Sequence, residues 1–123
     1  MPRALVVDDD DSIREITQLA LEVVAGWEVV TADSGARAIE LAAEHQPDVV
    51  VLDMMMPDMD GLTTFRHLQE QASTAHVPVV LLTAKVQVGD RQLWDEMAVA
   101  GVISKPFDPM TLAAEISTML GWA

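Results

Sequence analysis

Pro47-Asp48-Val49-Val50-Val51-Leu52-Asp53 is a short apolar run closed by a carboxylate, and it reads as a buried strand. Three further runs have the same form. Ala4-Leu5-Val6-Val7 ends on Asp8-Asp9-Asp10-Asp11, Val79-Val80-Leu81-Leu82 ends on Thr83, and Val102-Ile103-Ser104 runs into Lys105-Pro106. Continuous apolar strands are the mark of a parallel sheet covered on both faces. The carboxyl ends of such strands share one edge, where open α/β folds place their sites. The pattern therefore predicts several carboxylates, one hydroxyl and one lysine gathered at a single place.

Helix-like segments fill the gaps between these strands, which indicates an α/β domain. The first helix is expected from Ser12, with Ser12 and Glu15 spaced as a capping box, and Gly26 ends it. Its Ile13, Ile16, Leu19, Ala20, Val23 and Val24 are expected to form one buried face. A second strand follows at Glu28–Thr31, and a second helix from Ser34 to Glu44 buries Ala38, Ile39, Leu41 and Ala42. Asp60 reads as the N-cap of a third helix with Leu62, Phe65 and Leu68 inward. A fourth helix is expected over Asp90–Met97. The last has Asp108 as N-cap, Pro109 in its first turn and Leu112, Ile116, Met119 and Leu120 on its inner face. The chain reads as one domain over residues 1–123, with no segment left for an output domain.

The formal charge is −13, from 20 acidic and 7 basic side chains, which argues against binding nucleic acid or an anionic membrane. There is no cysteine, so thiolate chemistry and Cys-based metal sites are excluded. No apolar run is long enough to cross a bilayer, and residues 1–25 lack a signal-peptide pattern, so a cytoplasmic location is the default expectation.

Asp8, Asp9 and Asp53 at one edge would repel by about 4 kcal/mol per pair at an effective dielectric of 20. Such a group needs a cation or a shared proton. Hard carboxylate oxygens without His or Cys suit Mg²⁺. Lys105 brings a compact positive charge and Thr83 a hydroxyl. A cation, a lysine and a hydroxyl around one carboxylate form a site for a phosphoryl group, with the carboxylate as nucleophile.

With these residues in place, the sequence resembles the receiver domain of two-component response regulators, the family of the single-domain chemotaxis regulator. Leu5-Val6-Val7-Asp8-Asp9 looks like the family's acidic pair. Leu52-Asp53-Met54-Met55-Met56-Pro57-Asp58-Met59-Asp60-Gly61 looks like its phosphorylation loop, and Leu82-Thr83-Ala84 and Lys105-Pro106-Phe107 like its last two motifs. The resemblance implies a (βα)5 flavodoxin-like fold, a doubly wound parallel sheet of order 2-1-3-4-5. It implies that Asp53 takes a phosphoryl group from a phosphohistidine on a sensor histidine kinase or histidine phosphotransfer protein. Asp9, Asp53 and the backbone carbonyl of Met55 would ligate Mg²⁺, with Asp8 acting through water. Lys105, Thr83 and Ala84 would meet the phosphoryl group, and the Lys105-Pro106 bond would be cis. Val102 stands where the family often has an aromatic switch residue, so an aromatic rotamer switch is not expected. Output would then run through Thr83 and the Lys85–Asp90 loop to the fourth helix, where Trp94 is a candidate anchor for a downstream protein.

Other readings fit less well. Asp58-Met59-Asp60-Gly61-Leu62-Thr63 resembles the DxDGT loop of haloacid-dehalogenase-like phosphatases, yet it starts five residues after the strand ends, so an enzyme is not expected. Dinucleotide folds place glycines after the first strand, where this chain has four aspartates. Met54-Met55-Met56 is read as packing rather than a soft-metal motif. Asp11 is read as a solvated, helix-dipole charge, with Asp10 left open.

Overall fold

The computed structural model describes residues 2–57, 59–84 and 99–122. The expected fourth helix, Trp94 and the 85–90 loop lie outside the described residues. Strands β1 (Arg3–Val7), β2 (Glu28–Ala32), β3 (Val49–Asp53), β4 (Val79–Thr83) and β5 (Gly101–Ser104) form one sheet in the order 2-1-3-4-5. All four pairings are parallel. The ladder continues one residue past three of the strands. The Asp8 N–H donates to the Ala32 carbonyl at 3.1 Å, that of Met54 to Leu82 at 2.9 Å, and that of Lys105 to Thr83 at 2.7 Å. Asp8, Asp53, Thr83 and Lys105 are thereby carried to one edge.

Side chains alternate between the sheet's two faces, and each face has its own core. Leu5, Val7, Val50, Leu52 and Leu81 pack with Ala38, Leu41, Phe65 and Leu68, from helices α2 (Gly35–His45) and α3 (Gly61–Glu70). Val6, Val51, Val80 and Ile103 pack with Leu21, Leu112 and Ile116 on the other face. That face is covered by α1 (Asp11–Leu19), continued by a π-helical turn over Ala20–Val24, and by a C-terminal helix over Leu112–Leu120. Trp27, buried, meets Trp122 edge to face, with ring centroids 5.4 Å apart and planes at 65°.

Some helix starts differ from the expectation. The cap of α1 is Asp10, whose Oδ1 accepts from the N–H groups of Ser12 at 2.9 Å and Ile13 at 3.1 Å. A carboxylate two residues upstream satisfies the free N–H groups first, so Ser12 stands inside the helix. Asp108 accepts from the Met110 N–H at 2.9 Å and forms a turn, and the helix begins only at Leu112. Asp60 caps α3 as expected, accepting from Thr63 N–H at 2.8 Å, while Ser34, expected as the first residue of the second helix, instead caps α2, accepting from Arg37 N–H at 3.2 Å.

The inner face of α1 is also different. Ile16 is 47% exposed, Leu19 49%, Val23 74% and Val24 43%, while Thr17, Ala20 and Leu21 are buried. The helix carries two apolar stripes, and only one faces the sheet. Thr17 sits in the inward stripe because its hydroxyl donates to the Ile13 carbonyl at 2.7 Å, which hides its polarity. In the C-terminal helix Leu112 and Ile116 are buried as expected, but Met119 is 38% exposed.

Candidate functional site

The acidic edge is organised around Lys105. Its Nζ donates to Asp53 Oδ1 at 2.9 Å and to Asp8 Oδ2 at 3.2 Å. Asp8 is only 1% exposed, and Asp53 is buried at the end of β3. Asp8 Oδ1 accepts from the Asp10 N–H at 2.9 Å, so both of its oxygens are engaged. Asp9 is exposed, and one oxygen each from Asp8, Asp9 and Asp53 lie within 4.8 Å of one another. These are hard oxygen donors, a set able to hold a divalent cation.

The charges are mutually adjusted. Burial pushes the Asp8 carboxyl above its ordinary range, partly offset by the Asp10 N–H, while the neighbouring Asp53 charge raises it and Lys105 lowers it. Burial alone would depress Lys105. The hydrogen bond to Asp53 and the charges of Asp8 and Asp53 outweigh that, and its ammonium is held above the usual lysine range. The lysine therefore stays charged, compensating two carboxylates that would otherwise repel.

Thr83 is buried at the end of β4, one step beyond Leu82, the register partner of Asp53. Ala84 follows it and is exposed. The Lys105-Pro106 bond is cis. Met55 is 73% exposed two residues beyond Asp53, whereas Met56 is buried in the core, so the methionine run divides between solvent and packing. The Met55 N–H approaches Asp53 Oδ1 only at 3.4 Å. Val102 is half-buried and packs on the core that α2 and α3 cover. Asp60 serves α3 as a helix cap, and its carboxyl is held below the ordinary range by the Thr63 N–H.

Two contributions were not anticipated. Gly61 closes the loop after β3: its N–H donates to the Met54 carbonyl at 3.0 Å. A Cβ there would lie 2.6 Å from the Asp53 carbonyl oxygen and 2.9 Å from Met54 Cα, a place open only to glycine. Arg14 reaches from α1 to the Asp8 carbonyl with Nη1 at 2.9 Å, and its Nη2 pairs with Asp11. The Arg14–Asp11 spacing of three residues was a visible signal for the second contact only.

An apolar groove leaves this edge. Ile13, Ile16, Ala84, Lys105, Pro106, Phe107 and Pro109 line it, and this open groove holds about 460 Å³ beside the lysine stem. It continues along Ile16, Leu19, Val23, Val24 and Pro109.

Residues 4–117 match the response regulator receiver domain family. The chain is 36% identical over 120 residues to the DNA-binding dual master transcriptional regulator RpaA of Synechocystis, covering 98% of this chain and 49% of that protein. It is 38% identical over 117 residues to the response regulator PleD of Caulobacter vibrioides, covering 95% of this chain and 26% of PleD. It thus spans half or less of these relatives. Among solved structures, the chemotaxis protein CheY4 of Vibrio cholerae superposes with a TM-score of 0.90 at 31% identity, over 97% of this chain and 98% of that one. Sequence, sheet order and the acidic edge agree, and the chain belongs to the response regulator receiver domain family of two-component signal transduction.

Proposed function

We propose that Asp53 accepts a phosphoryl group from a phosphohistidine on a sensor histidine kinase or histidine phosphotransfer protein, and that the modified domain signals through protein contacts. The observation that carries this reading is Lys105 Nζ bridging Asp53 and Asp8 at 2.9 and 3.2 Å, with Asp9 alongside. An Asp53 oxygen attacks phosphorus and the P–N bond breaks. Its electron pair leaves with the imidazole, which takes a proton from water. Lys105, already at the attacking carboxylate, holds charge on the arriving phosphoryl oxygens. Thr83 bonds the phosphoryl group, with Ala84 against it.

The three carboxylates fit Mg²⁺: Asp9, Asp53 and the Met55 carbonyl would hold it, with Asp8 through water. When bound, the ion supplies further neutralising charge at those oxygens. The protein acts as an acceptor rather than as an enzyme with a substrate of its own, and it works in the cytoplasm.

The groove and the outward stripe of α1 supply the donor's docking face. Ile16, Leu19 and Val23 run away from the acceptor edge on a chain of formal charge −13. The matching partner offers an apolar helix face flanked by Lys and Arg. Output runs through Thr83 toward the segment bearing Trp94, without an aromatic switch at Val102. The test is intact-mass analysis after acetyl phosphate with Mg²⁺. One phosphoryl group should appear and be absent from Asp53→Asn; labelling that persists in the variant overturns the assignment.

A further inference from the structure

We propose that Arg14 is a positioning residue for the cation site, its guanidinium fork setting the loop that presents Asp9. The inference rests on the phosphoacceptor reading above. Nη1 donates to the Asp8 carbonyl at 2.9 Å and Nη2 pairs with Asp11, so one planar group ties the end of β1 to the first turn of α1. Between those anchors lie only Asp9 and Asp10. Asp10 is already fixed from both sides, its N–H donating to Asp8 Oδ1 and its own Oδ1 accepting from Ser12 and Ile13. Asp9 is the remaining member. Its direction toward Asp8 and Asp53 is inherited from a backbone pinned on either side.

Arginine suits this role because its donors diverge in a fixed plane, and the Asp8 carbonyl and Asp11 carboxylate each take one arm. A lysine would bring the charge to one point and leave one anchor free. The side chain is 21% exposed, so the guanidinium lies partly against the loop it holds rather than extended into water.

Charge and geometry make opposite predictions. As a charge, Arg14 repels a cation, and Arg14→Met would tighten Mg²⁺ binding. As a positioning group, its loss lets the Asp9 loop relax, and binding weakens. Partners that orient metal ligands typically contribute 10–100-fold in affinity. Calorimetric titration of MgCl₂ into the parent, Arg14→Met, Arg14→Lys and Asp9→Asn separates the cases. The expected result is a rise of about tenfold in the Mg²⁺ dissociation constant for both Arg14 variants, and near-complete loss for Asp9→Asn. An Arg14→Met variant that binds Mg²⁺ as tightly as the parent, or more tightly, overturns the proposal. So does an Arg14→Lys variant of parental affinity, which also serves if Arg14→Met fails to fold. A parent that binds no Mg²⁺ overturns this proposal together with the phosphoacceptor reading. Parental binding with unchanged Arg14 variants overturns this one alone.

Discussion

Lys105 shares one positive charge between two buried carboxylates, and its removal would be felt unequally across pH. Asp8 has a folded pKa above its ordinary 3.8, so its ionised form costs stability. That cost is absent below the unfolded value and complete once pH has passed the raised folded value. Lys105, its own pKa raised, is charged throughout this window and offsets the cost. In Lys105→Met the offset is gone. We expect a loss of about 2 kcal/mol at pH 8, below the usual figure for breaking a buried pair because the lysine keeps some solvent contact. At pH 4 the loss should be smaller, since Asp8 is freer to protonate. Urea unfolding at the two pH values checks this, and an equal loss at both would refute the electrostatic account.

Among elements, the two loops flanking the site are held by different devices. Asp10→Ala removes the cap of α1 and should cost about 1 kcal/mol, whereas Ser12→Ala should cost little. Denaturant midpoints with unchanged slopes would establish the order; a larger effect at Ser12 would restore the capping box. Gly61→Ala forces a Cβ against the Asp53 carbonyl, where backbone has to move. A loss of about 1–3 kcal/mol is expected, with slower labelling by acetyl phosphate because the loop after Asp53 shifts. Labelling at the parental rate would show that the loop tolerates the displacement. The placing of Asp53 beside Lys105 was legible in the sequence because each follows an apolar run, and parallel strands align such endings. Arg14 was not, since its main partner is a backbone carbonyl that no side-chain pattern reports. Nor was the outward stripe of α1, because Thr17 breaks the true inward pattern and Ile16, Leu19 and Val23 complete a false one.

For the whole molecule, a formal charge of −13 accompanies an apolar stripe that reaches the acidic edge. Transfer from a basic protein donor should slow as salt rises, whereas transfer from acetyl phosphate should change little. Leu19→Glu should slow the protein reaction about tenfold, as loss of an interface anchor worth about 1.4 kcal/mol would, and leave the small-molecule reaction intact. Stopped-flow rates with both donors decide this, and equal slowing of the two would move the docking face elsewhere.

The paired indoles of Trp27 and Trp122 have an optical consequence. Two aromatic transitions 5.4 Å apart in a fixed, skewed arrangement couple, giving the folded protein a distinct near-ultraviolet circular dichroism signature. Trp27 precedes β2 and Trp122 follows the C-terminal helix, at the end of the sheet opposite Asp8 and Asp53. That band would therefore read the seating of the last helix, keep its amplitude when Asp53 is modified, and serve as an internal standard against which any other tryptophan signal is measured.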